Sequence, residues 1–334
     1  MSDSPSQPAE AKPAIRTTHR LYIGGAFRRS DSGRTMDVHG ADGGYLASVA
    51  LASGKDAREA VIAARTAFPA WSGAAAAWRG QVLYRVAELL EEYRDRFAAE
   101  IRRATGSRSH PTGANEIGAV ATGAVATGAG ETGAGETGAG ETAAVATGSD
   151  AALAEVEAAV DRWVWYAGWA DKLGQVRGSA NPVAGPFVSF SVPEPAGVVA
   201  VLAPRDSALL GLVSVVAPAI VSGNTAVVIA SERYALPAVA LAEVLAGARL
   251  GGGVVNVLTG EVAEIAPWLA AHQDVNAIDL AGAPGALADD LAVAAAGTLK
   301  RVVRLPAADW FAEPGLERMF ATMETKTVWH PVGS

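Results

Sequence analysis

The sequence predicts an α/β fold: a doubly wound, Rossmann-like parallel sheet of five strands, with N-terminal helices and small accessory strands. Three observations carry this. Apolar runs recur at 198–203 (VVAVLA), 225–230 (TAVVIA), 254–260 (VVNVLTG), 277–282 (AIDLAG) and 300–305 (KRVVRL), at intervals in the twenties. Helical patterns fill the gaps, at roughly 208–221, 237–248, 263–271 and 286–298. The runs are continuously hydrophobic rather than alternating, which marks strands covered on both faces, as in a parallel sheet between helices. Such sheets bind ligands beyond the carboxyl ends of their strands. The loops at 203–207, 230–232, 260 and 281–285 are therefore where a site belongs.

In chain order, residues 1–20 are polar and Pro-rich with no apolar core of a secretory signal, and are expected to form a disordered tail. Residues 21–106 open with a short strand and a Gly-Gly turn (LYIGGAF). Two amphipathic helices follow, KDAREAVIAARTAFPAW and WRGQVLYRVAELLEEYRDRFAAEIRRATG, with Val82, Val86, Leu89 and Leu90 at helical spacing. Residues 107–150 are a low-complexity insert, whose stretch 118–147 is six pentads of the type GAVAT and GAGET. Pentads this small cannot bury enough surface to offset their ordering entropy. Gly128, Gly130 and Gly133 match G-x-G-x-x-G, as do Gly133, Gly135 and Gly138, but a dinucleotide loop needs a strand before it and a helix after it. Deleting 118–147 is expected to leave the melting temperature of the rest within a few degrees, because loop-closure entropy changes slowly with length. Loss of soluble expression on deletion would show the tract to be part of the fold.

Residues 151–306 are the Rossmann-like α/β domain. Its first helix, LAEVEAAVDRWVWYAGWADKL, concentrates Trp163, Trp165, Tyr166 and Trp169 and reads as a packing helix. A hairpin arm is predicted near 186–196, where FVSFSV alternates and Pro193 and Pro195 suit an edge strand. Residues 307–334 form a tail ending in a strand.

Composition narrows the function. Half of the 334 residues are hydrophobic and the net charge is −8, so a disordered chain and a nucleic-acid surface are both excluded. No 18-residue apolar run reads as a membrane span; 213–221 is too short and carries Pro218. There is no cysteine, hence no thiol nucleophile and no thiolate metal site, and a cytoplasmic location is expected. The five histidines are scattered without ligand spacing, so no metal is expected.

The loops carry a resemblance. PEPAGVVAVLAPRDSALL, VVAPAIVSGNTAVVIASE, GGGVVNVLTG and HQDVNAIDLAGA resemble, in order and spacing, the cofactor-domain motifs of the aldehyde dehydrogenase superfamily. LYIGGAF and the AFPAW and WRGQVLYRVAELLEE helices do so too, and the similarity covers most of residues 20–105 and 155–305. The ending, LERMFATMETKTVWHPVG, is most similar to the cysteine-lacking second domain of the two-domain branch. The family's catalytic domain, with its cysteine loop, is expected to be absent.

The resemblance implies NAD(P)-linked aldehyde oxidation by a cysteine thiolate, a glutamate base and an oxyanion-binding asparagine. This sequence departs from that pattern. Asp206 stands where the asparagine amide is implied; losing one oxyanion donor typically costs ~3 kcal/mol in the transition state. Leu305 stands where the glutamate is implied. No catalytic residue is therefore assigned. Of the family's Lys-Pro-Ser-Glu, only Ser231 and Glu232 survive, after Ile229 and Ala230, and of its Phe-Thr-Gly-Ser loop only Gly282 survives, between Ala281 and Ala283. Ser231, Glu232 and Gly282 are the vestigial cofactor-binding candidates, and NAD(P) binding is expected to be weak or absent. Restoring Ile229→Lys is expected to tighten it. Gly223-Asn224 reads as a helix C-cap, and Asp206 and Asp279 as solvated acids rather than a catalytic pair.

Two function classes compete under the resemblance, with a nucleotide-binding sensor as a third. One is a catalytically deficient member acting as an assembly or partner subunit, either a homo-oligomer or bound to a full-length aldehyde dehydrogenase. The other is an NAD(P)-dependent oxidoreductase active only with a partner. In the family a hairpin and a C-terminal strand serve oligomerisation, and the matching segments here are Phe187–Val192 and Lys326–Pro331. They are expected to add strands to a neighbouring chain.

Overall fold

The computed structural model describes residues 17–106, 148–306 and 309–332. The pentad tract and its glycine patterns lie outside these residues, as does most of the N-terminal tail. Five short strands come first: β1 (Thr18–His19), β2 (Leu21–Ile23), β3 (Ala26–Arg28), β4 (Thr35–His39) and β5 (Tyr45–Ala50). Helices α1 (Gly54–Ser72), α2 (Ala76–Glu92), α3 (Arg94–Thr105), α4 (Gly148–Ala167) and α5 (Leu173–Arg177) follow, then strands β6 (Ser179–Asn181) and β7 (Phe187–Pro195). The alternating part runs β8 (Val198–Leu202), α6 (Leu210–Val221), β9 (Thr225–Ile229), α7 (Ala235–Gly247), β10 (Val255–Leu258), α8 (Val262–Ala271), β11 (Ala277–Asp279), α9 (Gly285–Ala296) and β12 (Arg301–Val303). Helix α10 (Glu317–Ala321) and strand β13 (Met323–Pro331) close the described chain.

The main sheet has the order β12-β11-β8-β9-β10-β2-β3. Its five predicted strands are parallel, in doubly wound order. Two further strands extend it, because β2 runs antiparallel to β10 and turns back into β3 through Gly24 and Gly25. Both glycines hold positive φ (64° and 84°), which the tight turn requires. Strands β8 to β11 bury both faces as their composition demands, whereas β12 at the edge leaves Val302 exposed. Val199, Val201 and Val228 face α2, α4, α6 and α7, whereas Val198, Ala200, Leu202 and Ile229 face α1, α8 and α9. Each such side chain contributes roughly 1.5–3 kcal/mol by leaving water. Trp163 and Tyr166 are buried, and Trp165 and Trp169 pack against the same core, so α4 is the packing helix its aromatics predict. The second long N-terminal helix is broken at Tyr93 (φ −96°, ψ 13°) into α2 and α3.

Two expectations are corrected here. β7 is the central strand of a three-stranded sheet, β13-β7-β6, rather than an edge. Pro193 and Pro195 are tolerated because β6 pairs only with Ser189–Ser191, so the prolines have a single neighbour strand. β13 pairs along its whole length with β7 of the same chain, from Met323 opposite Pro195 to Pro331 opposite Phe187. The backbone groups of one edge of β7 are thus satisfied within the chain, not by a neighbour.

Candidate functional site

The order of the main sheet reverses between β8 and β11, and a crevice opens beyond the carboxyl ends of β8, β11 and β12. It encloses about 450 Å³ and is lined by Arg205, Asp206, Gly282, Leu305, Trp310 and Arg318, among others. Asp206, Gly282 and Leu305 are therefore brought together as the sequence anticipates. Ser231 and Glu232 follow β9 and do not line this crevice.

Each candidate has an identifiable local role. Gly282 donates its N–H to the Leu202 carbonyl (3.0 Å), and a Cβ there would collide with the Ala203 carbonyl, so the loop after β11 needs glycine to cross the end of β8. Glu232 accepts from the backbone N–H of Val262 (3.0 Å), capping α8 with one oxygen, and its other oxygen lies 3.9 Å from Arg205. Ser231 is buried, and its hydroxyl has no hydrogen-bond partner among the described residues. Asp206 is exposed and accepts from the Trp310 indole N–H (3.0 Å). Leu305 is 40% exposed at the rim, an apolar side chain with no proton to give or take. Asn224 ties three segments together: its Oδ1 accepts from Gly197 N–H (2.8 Å), and its Nδ2 donates to Ser222 Oγ (2.8 Å) and the Thr322 carbonyl (2.9 Å).

Asp279 corrects the reading of a solvated acid. It is buried at the end of β11 and forms an ion pair with Arg318 of α10, which is also buried. Its second oxygen accepts from the Ala281 N–H (3.1 Å). Burial pushes the Asp279 carboxyl above the usual range, and Arg318 opposes that rise. Arg318 also stands over the Trp310 ring, 5.9 Å from its centroid. Buried Arg162 completes the anchoring by donating to Ser214 Oγ (2.7 Å) and to the carbonyls of Trp310 (2.7 Å) and Ala312 (2.9 Å). The segment following β12 is thus fastened across the crevice by two arginines.

Sequence reasoning missed Glu155 as well as Arg162 and Arg318. Glu155 is buried on α4, and its Oε1 accepts from Ser207 Oγ (2.7 Å), Leu209 N–H (2.9 Å) and Leu210 N–H (3.2 Å). It occupies the N-terminus of α6, the place where the pyrophosphate docks on the first helix of a dinucleotide-binding unit. The only signal in the sequence is a Glu within an amphipathic helix, which most often marks a solvated face.

The chemistry open to these groups is limited. Burial pushes the Tyr166 phenol up to about 12, so it stays protonated near neutrality. Asp279 is committed to Arg318, and Ser231 has no base within hydrogen-bonding reach. No nucleophile, base and oxyanion donor converge among the described residues, and no group of three or more His, Asp or Glu there could hold a metal.

The sequence model described as the aldehyde dehydrogenase family matches residues 27–147 and 139–305. The chain is 32% identical over 269 residues to (Z)-2-((N-methylformamido)methylene)-5-hydroxybutyrolactone dehydrogenase of Acinetobacter baylyi, covering 79% of this chain and 46% of that protein. It is 28% identical over 278 residues to cytosolic 10-formyltetrahydrofolate dehydrogenase of Homo sapiens, covering 81% of this chain and 26% of that protein. Among solved structures, HpcC from Thermus thermophilus superimposes with a TM-score of 0.70 at 26% identity, over 85% of this chain and 47% of that one. The chain thus spans less than half the length of these proteins.

Proposed function

The chain belongs to the aldehyde dehydrogenase family, and we propose that within it this protein is a catalytically deficient assembly or partner subunit. The observation that supports this best is the state of the crevice. Arg318 on Asp279 and Arg162 on the 310–312 turn hold the protein's own segment where Asp206 and Leu305 replace the implied oxyanion donor and base. These 334 residues also contain no cysteine, so they supply no thiol nucleophile to the crevice.

The residues present do not fit a tightly held dinucleotide. Ile229 is core, Glu232 caps α8 and Glu155 fills the N-terminus of α6. Of the retained candidates, the Ser231 hydroxyl is left without a hydrogen-bond partner among the described residues. NAD(P) affinity is therefore weak or absent on this reading. A cytoplasmic location agrees with the cytosolic relative, and no helix among the described residues is long and apolar enough to cross a membrane.

The purified chain is expected to produce no NADH or NADPH from NAD+ or NADP+ with aliphatic, aromatic or semialdehyde substrates. Turnover above a buffer blank that disappears on a point substitution in this chain would overturn the deficiency. Turnover that appears only on adding a full-length aldehyde dehydrogenase, above that enzyme's own rate, would favour the partner-dependent oxidoreductase instead.

Assembly is expected to use the tip of the β7–β13 arm. Phe187, Val188 and Trp329 are 42%, 54% and 57% exposed, and the Phe187 and Trp329 rings pack edge-on 6.0 Å apart. Phe187 and Trp329 share one face of the strand pair and Val188 lies on the other, so the tip presents apolar surface that suits burial against another subunit. Light scattering should report a dimer or larger species, and a Val188→Ser/Trp329→Ser double variant should shift it towards monomer. A wild-type monomer over a wide concentration range, with and without a full-length relative, would remove the assembly role.

A further inference from the structure

We propose that the concavity at the open end of the β2–β3 hairpin is a binding site for a small, doubly charged oxyanion, either a phosphate or a dicarboxylate. The hairpin register sets Leu21 opposite Arg28, Tyr22 opposite Phe27 and Ile23 opposite Ala26. Continued by one rung, it sets Arg20 opposite Arg29. Two like charges facing each other across a strand pair are destabilising unless something neutralises them. Nothing in the described chain does, because neither side chain makes a hydrogen bond or ion pair among the described residues.

A third arginine is turned towards the same space. The turn after Arg29 is closed by the Gly33 N–H on the Ser30 carbonyl (3.0 Å), with Gly33 at φ +66°, and it returns the chain so that Arg34 shares the wall. Arg34 is bridged to Glu264 (2.7 Å), so Arg20 and Arg29 are the two unpaired charges of the wall among the described residues. The nearest acids on this turn are already engaged. Asp31 pairs with Lys55 (2.6 Å), and Asp56 is buried beneath the turn, receiving Ser30 Oγ (2.8 Å), Asp31 N–H (3.0 Å) and Ser53 N–H (2.8 Å).

The result is a cavity of about 320 Å³ lined by Arg20, Arg29 and Arg34 with His19 and Thr35, in a chain whose net charge is −8. That volume is at the small end of ligand pockets, suited to a compact anion and too small for a dinucleotide. It shares no lining residue with the crevice at Arg205 to Arg318. Planar guanidinium forks match the paired oxygens of phosphate and carboxylate, and both classes fit the arrangement.

The test uses the full chain, thermal melts and calorimetric titration, with inorganic phosphate in one arm and succinate in the other. Sodium chloride at matched ionic strength is the reference. Ligand binding to the folded state should raise the melting temperature with concentration, in at least one arm and beyond the chloride effect. The Arg20→Gln/Arg29→Gln double variant should bind about tenfold or more weaker, the ordinary consequence of losing charge-assisted hydrogen bonds. These side chains are exposed, so the variant should fold, and without added anion it should melt at or above the wild-type temperature because the repulsion is gone. Arg85→Gln, on an exposed helical face paired with Glu88, should bind like wild type. A response in the phosphate arm alone assigns phosphate, and in the succinate arm alone a dicarboxylate. Equal responses to chloride, or unchanged affinity in the double variant, would overturn the site.

Discussion

Arg318→Met should cost the fold about 3–5 kcal/mol near neutral pH, the usual penalty for removing one partner of a buried ion pair. The size follows from what is left behind. Asp279 would remain buried at the end of β11 with one backbone N–H, from Ala281, as its only hydrogen bond among the described residues. The loss should depend on pH with a definite sign. Burial already holds the Asp279 carboxyl above its ordinary pKa against the pull of Arg318. Without the arginine that pull is gone and the pKa rises further. A carboxyl with a raised folded-state pKa binds its proton more tightly when folded, so the variant should regain stability as pH falls through that value. Urea melts at pH 7.5 and pH 5 would read both effects, and Asp279→Asn/Arg318→Met should recover part of the loss because no buried charge remains. A cost below about 1 kcal/mol, unchanged between the two pH values, would show the pair to be as weak as a solvated one.

The same substitution asks what holds the C-terminal segment over the crevice. Arg318 and Arg162 are the two cationic anchors of that segment, one on Asp279 and the other on the Trp310 and Ala312 carbonyls. If Arg318 is the dominant one, Arg318→Met should also make the neighbourhood of Trp310 accessible, seen as a red shift of tryptophan emission before global unfolding. The partner-subunit reading predicts that aldehyde oxidation nevertheless stays absent, since uncovering the crevice restores neither a thiol nor a base.

How much of this was legible beforehand depends on the range of the interaction. Strands β8 to β11 were readable because a run such as VVAVL is buried on both faces, and composition alone reports that. The β2–β3 turn was readable because Gly24-Gly25 is a local necessity. Interactions between distant residues were not. Asp279 looks solvated in the sequence, and nothing near it announces a partner thirty-nine residues away. Glu232 resembles a ribose ligand by motif, yet it caps α8 through Val262, thirty residues further on. Val328 and Trp329 promise a strand, but whether that strand pairs with its own chain or another's is a question of loop geometry that alternation cannot answer. The crevice residues Asp206, Gly282 and Leu305 were found through the family resemblance, the first two also lying in loops that strand ends single out, whereas Arg162, Arg318 and Glu155 were missed because each acts across elements.

Ile229→Lys should destabilise the protein by about 3–5 kcal/mol near neutral pH and leave dinucleotide binding no tighter, since a lysine forced into an apolar core must be dehydrated or give up its proton. Read by motif, that substitution restores a ribose-binding lysine and should strengthen binding. The structure opposes it. Ile229 is fully buried at the last position of β9, between Leu202 of β8 and Leu258 of β10, and its side chain belongs to the core facing α1 and α8. A lysine there would have its folded-state pKa depressed below its unfolded value. The unfolded chain then binds the extra proton, so the penalty is full at low pH and shrinks as pH rises towards the ordinary lysine value of about 10.4. Melts at pH 6 and pH 9 should therefore show the variant closer to wild type at pH 9. Calorimetric titration with NAD+ and NADP+ supplies the second readout. Wild-type stability together with markedly tighter binding would show that the side chain at 229 threads out of the core into the crevice, and that the missing lysine alone had disabled the site.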